Sequence, residues 1–209
     1  MDYSKKVAEQ LLQSKAIKLQ PTSPFTWASG WKSPIYCDNR KTLSFHEVRS
    51  FIKNAFAETI KTTFAEYDVI AGVATGAIAQ GALVADVLGK PFCYIRSAPK
   101  DHGLSNLIEG DLKAGQKVVV IEDLISTGGS SLKAVEAIRN AGAEVVGMVA
   151  IFTYAFPTAV ENFAKANVNL VTLSNYNALI ELAVETGYVE PSQVDILKKW
   201  REAPDKWNI

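Results

Sequence analysis

Val118 to Ser131, reading Val-Val-Val-Ile-Glu-Asp-Leu-Ile-Ser-Thr-Gly-Gly-Ser-Ser, constrains this chain more than any other stretch. Val118 to Ile121 is a short, unbroken, β-branched run, the pattern of a parallel strand buried on both faces. Glu122 and Asp123 follow where such a strand would leave the sheet. Ser126 to Ser131 carry no bulky side chain, and a helical pattern opens directly after them, with Leu132, Val135 and Ile138 on one face and Ala141-Gly142 closing it. A buried strand, a small-residue loop and a helix in that order require a crossover unit with a helix laid on a sheet.

In open α/β sheets ligands bind beyond the carboxyl ends of the strands. Two carboxylates there can accept hydrogen bonds from vicinal sugar hydroxyls. The small residues behind them let backbone N–H groups approach an anion, and Ser126, Thr127, Ser130 and Ser131 add hydroxyl donors. A phosphate in that loop would lie at a helix N-terminus. The chain has neither Gly-x-x-x-x-Gly-Lys-Ser/Thr nor Gly-x-Gly-x-x-Gly after a strand, which removes the nucleoside-triphosphatase and dinucleotide signatures. A polar turn with a Ser or Thr cap would account for the loop alone. It does not account for two adjacent acids followed by six small residues.

The rest of the chain alternates. Val7, Leu11 and Leu12 give a first amphipathic helix, Gln20 to Pro34 reads as a loop with aromatic anchors, and Ser44-x-x-Glu47 is a capping box before Phe45, Val48, Ile52, Ala55, Phe56 and Ile60 at helical spacing. From Asp68 the pattern predicts strands over 69–73, 91–95, 117–121, 144–152 and 168–173, and helices over 77–88, 131–141 and 157–166. Two more helices follow from Ser174, the second opening at Pro191. Strands alternating with helices imply a parallel sheet, and 209 residues fit one domain, 1–209.

Lys plus Arg and Asp plus Glu number 22 each, so no global field argues for nucleic acid or an anionic membrane. Cys37 and Cys93 lie far apart and read as small buried hydrophobes rather than a zinc site or a disulfide. No segment approaches the ~20 apolar residues of a membrane span, and Met1 to Lys6 leads into no signal-like apolar run. The expected location is the cytoplasm.

Arg96 to Gly110 is a long loop for a compact domain, and such loops are often functional lids. Arg96, Lys100 and His102 place three potential cations on it, suited to meet an anionic leaving group while the loop excludes water. His46 reads as a surface residue and Tyr154 as strand-end packing.

The acid pair and hydroxyl loop resemble the phosphoribosyl pyrophosphate (PRPP) motif of type I phosphoribosyltransferases. Arg96-x-x-x-Lys100-x-His102-Gly103 resembles the catalytic loop of the orotate phosphoribosyltransferases, and Phe25 to Arg40 is similar to that family's orotate-side segment, Phe-x-x-x-Ser-Gly-x-x-Ser-Pro-x-Tyr. The motifs stand in the family's order. The resemblance implies a parallel-sheet type I phosphoribosyltransferase fold with helices on both faces and a small N-terminal hood from residues 1–40. It implies transfer of the 5-phosphoribosyl group of PRPP to N1 of orotate, giving orotidine 5′-monophosphate and pyrophosphate for pyrimidine synthesis. By the same resemblance Lys100, His102 and Asp123 are catalytic. PRPP would be bound by Arg96, Lys100, His102, Glu122, Asp123, Leu124, Ile125, Ser126, Thr127, Gly128, Gly129 and Ser130, and Ser126 would also reach orotate. Mg²⁺ would be held mainly through PRPP and pyrophosphate, and the 96–110 loop would cross to the partner's site in a homodimer. Family lysines are absent at Ala28, at Ser97 and in the Gly72 to Ala77 turn; Lys32 stands in the vicinity of the first. The PRPP motif reports the sugar and not the base, so a phosphoribosyltransferase for another base, or a PRPP-sensing regulator, remains open at this stage.

Overall fold

The computed structural model describes residues 2–27, 29–98 and 107–207. Among them the main sheet has six strands in the order β10-β9-β8-β5-β6-β7. These are β5 (Val69–Val73), β6 (Phe92–Ile95), β7 (Ile108–Glu109), β8 (Lys117–Ile125), β9 (Glu144–Thr153) and β10 (Leu170–Asn175). All neighbours are parallel except β7, which runs antiparallel along β6. Ahead of the sheet lie α1 (Ser4–Gln13), β1 (Ile17–Leu19), β2 (Phe25–Thr26), β3 (Lys32–Ser33), β4 (Ile35–Cys37), a 3-10 helix (Asn39–Ser44) and α2 (His46–Thr63). The crossover helices are α3 (Ile78–Leu88), α4 (Gly129–Asn140) and α5 (Pro157–Lys165), and α6 (Tyr176–Glu185) and α7 (Val194–Glu202) close the described chain.

The strand pleat divides the core in two. Val119, Ile121, Val149 and Ile151 pack with α1, α2, α6 and α7, whereas Val118, Val120, Met148 and Ala150 pack with Ala134, Val135 and Ile138 of α4 and Phe163 of α5. Both faces are therefore covered by helices, which is why β8 is wholly apolar from Val118 to Ile121. No helix among the described residues is long and apolar enough to cross a membrane.

Several sequence expectations are corrected. β8 does not stop at Ile121 but runs to Ile125, because β9 continues beside it as far as the Ile125↔Thr153 pair. The segment 20–34 is not all loop: β2 and β3 form a two-residue-deep hairpin closed at Gly30, too short to show alternation. The long loop ends in β7, an antiparallel edge on the otherwise parallel sheet. Ser44 caps nothing; it ends the 3-10 helix, and α2 starts from an exposed Phe45 with no side-chain cap. Val168 belongs to the turn after α5, its N–H bonded to the Phe163 carbonyl behind Asn167 at φ 51°, so the last strand begins at Leu170. His46 is exposed and Cys93 buried as expected, while Cys37 is only half-buried.

Candidate active site

The site forms where β8 outruns its neighbour. On the β5 side the ladder ends at Gly72↔Ile121, while on the β9 side it continues for four more residues. The order in which the chain adds strands reverses at this point of the sheet, with β5 leading outward to β6 on one side and β8 to β9 on the other, which opens a crevice at the strand ends.

A cavity of about 320 Å³ occupies the crevice, lined by the turn from Val73 to Gly76, by Glu122, Asp123 and Leu124, and by Ser126 to Ser131. Successive strand residues face opposite ways. Glu122 therefore turns toward α4, where its Oε2 accepts from Ser131 Oγ at 2.7 Å and its Oε1 from the Asp123 N–H at 2.9 Å. It is 4% exposed. Burial, and then the neighbouring Asp123 charge, push its pKa up to about 8, against the Ser131 hydrogen bond. Asp123 turns the other way, and its carboxylate lies over Gly76; a Cβ on that glycine would collide with it. The Gly76 position is thus a requirement of where the carboxylate sits.

The loop from Ser126 to Ser131 is braced from below. The Ile125 carbonyl accepts from the Tyr154 N–H at 3.1 Å and the Thr127 carbonyl from Asn162 Nδ2 at 3.0 Å. Gly128 is the N-cap of α4 at φ 83°, a left-handed conformation, and a Cβ there would meet the Phe163 ring. No side chain caps α4. The first-turn amides of Gly129, Ser130 and Ser131 have no intrahelical acceptor and border the cavity, an arrangement suited to a phosphate. Within the expected phosphosugar stretch from Glu122 to Ser130, Ile125 does not line the cavity: its side chain is fully buried in the core.

A second cavity of about 320 Å³ adjoins the first and is lined by Thr26, Trp27, Tyr36, Cys37, Leu124, Ser126 and Tyr154. Leu124 and Ser126 belong to both walls. Trp27 lies 5.3 Å from Tyr154 between ring centroids, and both pack on the buried Trp200 of α7. Trp27 Nε1 donates to the Ile35 carbonyl at 3.1 Å, so one wall of this largely apolar slot is tied to β4. Burial raises the Tyr154 hydroxyl pKa well above its ordinary value and, with the Asp123 and Asp38 charges, does the same to the Cys37 thiol. Lys32 donates to Thr26 Oγ1 at 2.7 Å on the rim.

Arg96 lies outside both cavities, beside a third of about 680 Å³ that it lines with Ser97, Ser130 and Lys133, and its Nη1 is 3.6 Å from Glu109 Oε1. Lys100 and His102 fall outside the described residues. Sequence reasoning passed over Tyr154 as packing; it is packed, and it also forms the slot's wall. The buried Asn39 gave no sequence signal, because its partner, the Asp123 carbonyl, is 84 residues away.

A mostly parallel sheet with an acid pair at its crevice and a small-residue loop leading into a helix N-terminus is the architecture of the phosphoribosyltransferase class. The phosphoribosyl transferase domain model matches residues 42–184. The orotate phosphoribosyltransferase of Porphyromonas gingivalis is 64% identical over 205 residues, 98% of each chain. Among solved structures, the orotate phosphoribosyltransferase of Aeropyrum pernix superposes with a TM-score of 0.73 at 29% identity, over 88% of this chain and 99% of that one. The Mycobacterium tuberculosis orotate phosphoribosyltransferase in complex with PRPP gives 0.66 at 25% identity, over 86% and 99%. The chain belongs to the orotate phosphoribosyltransferase family.

Proposed function

We infer that the chain transfers the 5-phosphoribosyl group of PRPP to N1 of orotate, releasing pyrophosphate and giving orotidine 5′-monophosphate, a step of pyrimidine synthesis. The observation that carries this reading is the pair of cavities sharing Leu124 and Ser126: one is lined by carboxylates, hydroxyls and first-turn helix residues, the other mainly by aromatic side chains. A sugar seated against the first would present its anomeric carbon toward the second, where a planar base stacks. Breaking the anomeric C–O bond ahead of C–N bond formation places positive charge on the ribose ring and negative charge on pyrophosphate, so the protein's work is positional and electrostatic.

In this reading Asp123 accepts from ribose hydroxyls and favours the cationic ring, Glu122 holds the Asp123 backbone and closes the cavity floor, and Ser126 to Ser131 fix the 5′-phosphate. The backbone of the Gly72 to Ala77 turn receives the pyrophosphate. Leu124 and Ser126 meet the sugar–base junction, and Ser126 reaches orotate. Oxygen donors at Asp123 fit Mg²⁺, which would be held mainly by substrate oxygens and, when bound, supplies positive charge to the leaving group. Lys100 and His102, carried on the 96–110 loop of a partner in a homodimer, would neutralise or protonate the departing pyrophosphate, with Arg96 as a further cation. The enzyme works in the cytoplasm, and residues 1–40 serve as the hood of a single 1–209 domain.

The test is turnover of the purified protein with PRPP, Mg²⁺ and orotate, followed by loss of orotate ultraviolet absorbance, with uracil and hypoxanthine as parallel acceptors. Turnover of orotate alone supports the assignment; turnover of another base reassigns the acceptor; saturable PRPP binding without turnover replaces the enzyme by a PRPP sensor.

A further inference from the structure

We propose that Asn39 is a positioning residue for Asp123, holding the acid-bearing end of β8 in the place a neighbouring strand would otherwise hold it. The inference rests on the reading of Asp123 as the carboxylate that faces ribose. Beyond Ile121, β8 has lost β5 as a partner, and a backbone carbonyl on that side has no ladder donor. Asn39 supplies one: its Nδ2 donates to the Asp123 carbonyl at 2.6 Å. The Asp123 N–H is likewise held by a side chain, Glu122 Oε1. Both backbone polar groups of the residue that carries the carboxylate are thus fixed by side chains.

Asn39 is itself locked. It is 2% exposed, and its carbonyl accepts from Thr42 Oγ1 at 2.6 Å, which ties it into the 3-10 helix. Its Oδ1 accepts from Cys37 Sγ at 3.3 Å, an arrangement that settles which end of the amide faces Asp123. Although Cys37 is half-exposed as a residue, its sulfur is enclosed, and desolvation with the Asp123 and Asp38 charges holds the thiol pKa well above its ordinary value, so it stays a donor. Cys37 also lines the aromatic cavity, so one buried amide bridges the base wall and the sugar wall. Removing the amide leaves the Asp123 carbonyl without its donor and frees the strand end to move, carrying the carboxylate away from Gly76.

The experiment is a double-mutant cycle on PRPP affinity, measured by calorimetry with Mg²⁺ and no base, which reads the sugar site whatever the acceptor proves to be. Asn39→Ala weakens PRPP binding by about 10-fold in the wild-type background, the scale of one lost buried hydrogen bond. In the Asp123→Asn background the same change has an effect of about 2-fold or less, because the carboxylate it positions is gone. A purely structural role gives the same factor in both backgrounds and overturns the proposal. Asn39→Leu, close in shape but without a donor, serves where Asn39→Ala fails to fold, and a folded variant that binds PRPP within about 2-fold of wild type also overturns it. Failure of orotate turnover with the cycle intact would refute the enzymatic reading and leave Asn39 in its role.

Discussion

Replacing Glu122 by Gln removes a carboxyl group that the fold buries at 4% exposure, and its effect on stability depends on pH in a calculable way. Desolvation and the Asp123 charge lift the Glu122 pKa from the usual 4.5 to about 8. The folded-state value lies above the unfolded one, so ionisation costs more in the fold than in the unfolded chain. Wild-type stability is undiminished by this group below the unfolded pKa, falls as pH rises through the interval between the two values, and levels off above the folded one. Integrating the linkage from about pH 5 to about pH 8 gives a loss of roughly 3 to 4 kcal/mol as a ceiling, lowered by whatever part of the titration Asp123 shares. Gln keeps the shape and still accepts the Asp123 N–H, with Ser131 able to reverse its hydroxyl and accept from the new amide. Urea unfolding of both proteins across this range, compared as a difference, cancels every other titrating group. The wild type should lose more than about 1 kcal/mol relative to Glu122→Gln over the interval. Parallel curves would refute the claim that Glu122 is held largely protonated beneath the site.

Gly76→Ala should fold, since the turn is at the surface of the cavity, and should lower PRPP affinity by about 10-fold or more by displacing the Asp123 carboxylate; calorimetry checks it, and unchanged affinity would remove the Gly76–Asp123 contact from the site. Trp27→Ala takes away one wall of the aromatic slot and should raise KM for orotate by about 3- to 10-fold while leaving PRPP affinity within about 2-fold, as expected for the loss of one stacking contact. Lys100→Ala should depress kcat far more than PRPP binding, and mixing it with Asp123→Asn should restore part of the activity if loop and acid pair come from different subunits; no recovery after demonstrated subunit exchange would argue for sites complete within one chain.

The central sheet was legible because burial on both faces writes itself into the sequence as unbroken apolar runs: β5 was read to the residue, and α3, β6, β9 and α5 to within a residue or so. The loop from Ser126 to Ser131 was legible for a different reason, since small hydroxyl residues between a buried strand and a helix have few other uses. The end of β8 was not, because Glu122 to Ile125 keep strand geometry by pairing on one side only, and pairing is a property of the neighbour β9 rather than of the residues themselves. Nor was the division of labour within the acid pair: adjacent letters give no sign that the pleat buries Glu122 under Ser131 and leaves Asp123 over Gly76. The β2–β3 hairpin and the Asn39 bridge depend on contacts a few residues deep or 84 residues apart, beyond any local period.

Among the described residues the two cavities share Leu124 and Ser126 alone and otherwise draw on separate parts of the chain. Under the proposed function, donor preference would reside in the crossover turns of the sheet, and acceptor preference in a small aromatic appendage of Thr26, Trp27, Tyr36 and Cys37 with Tyr154. On that reading the two could drift independently: exchanging the appendage alone would change which ring is accepted while the sugar-handling machinery is inherited intact, which would make this architecture a ready starting point for enzymes that glycosylate other heterocycles.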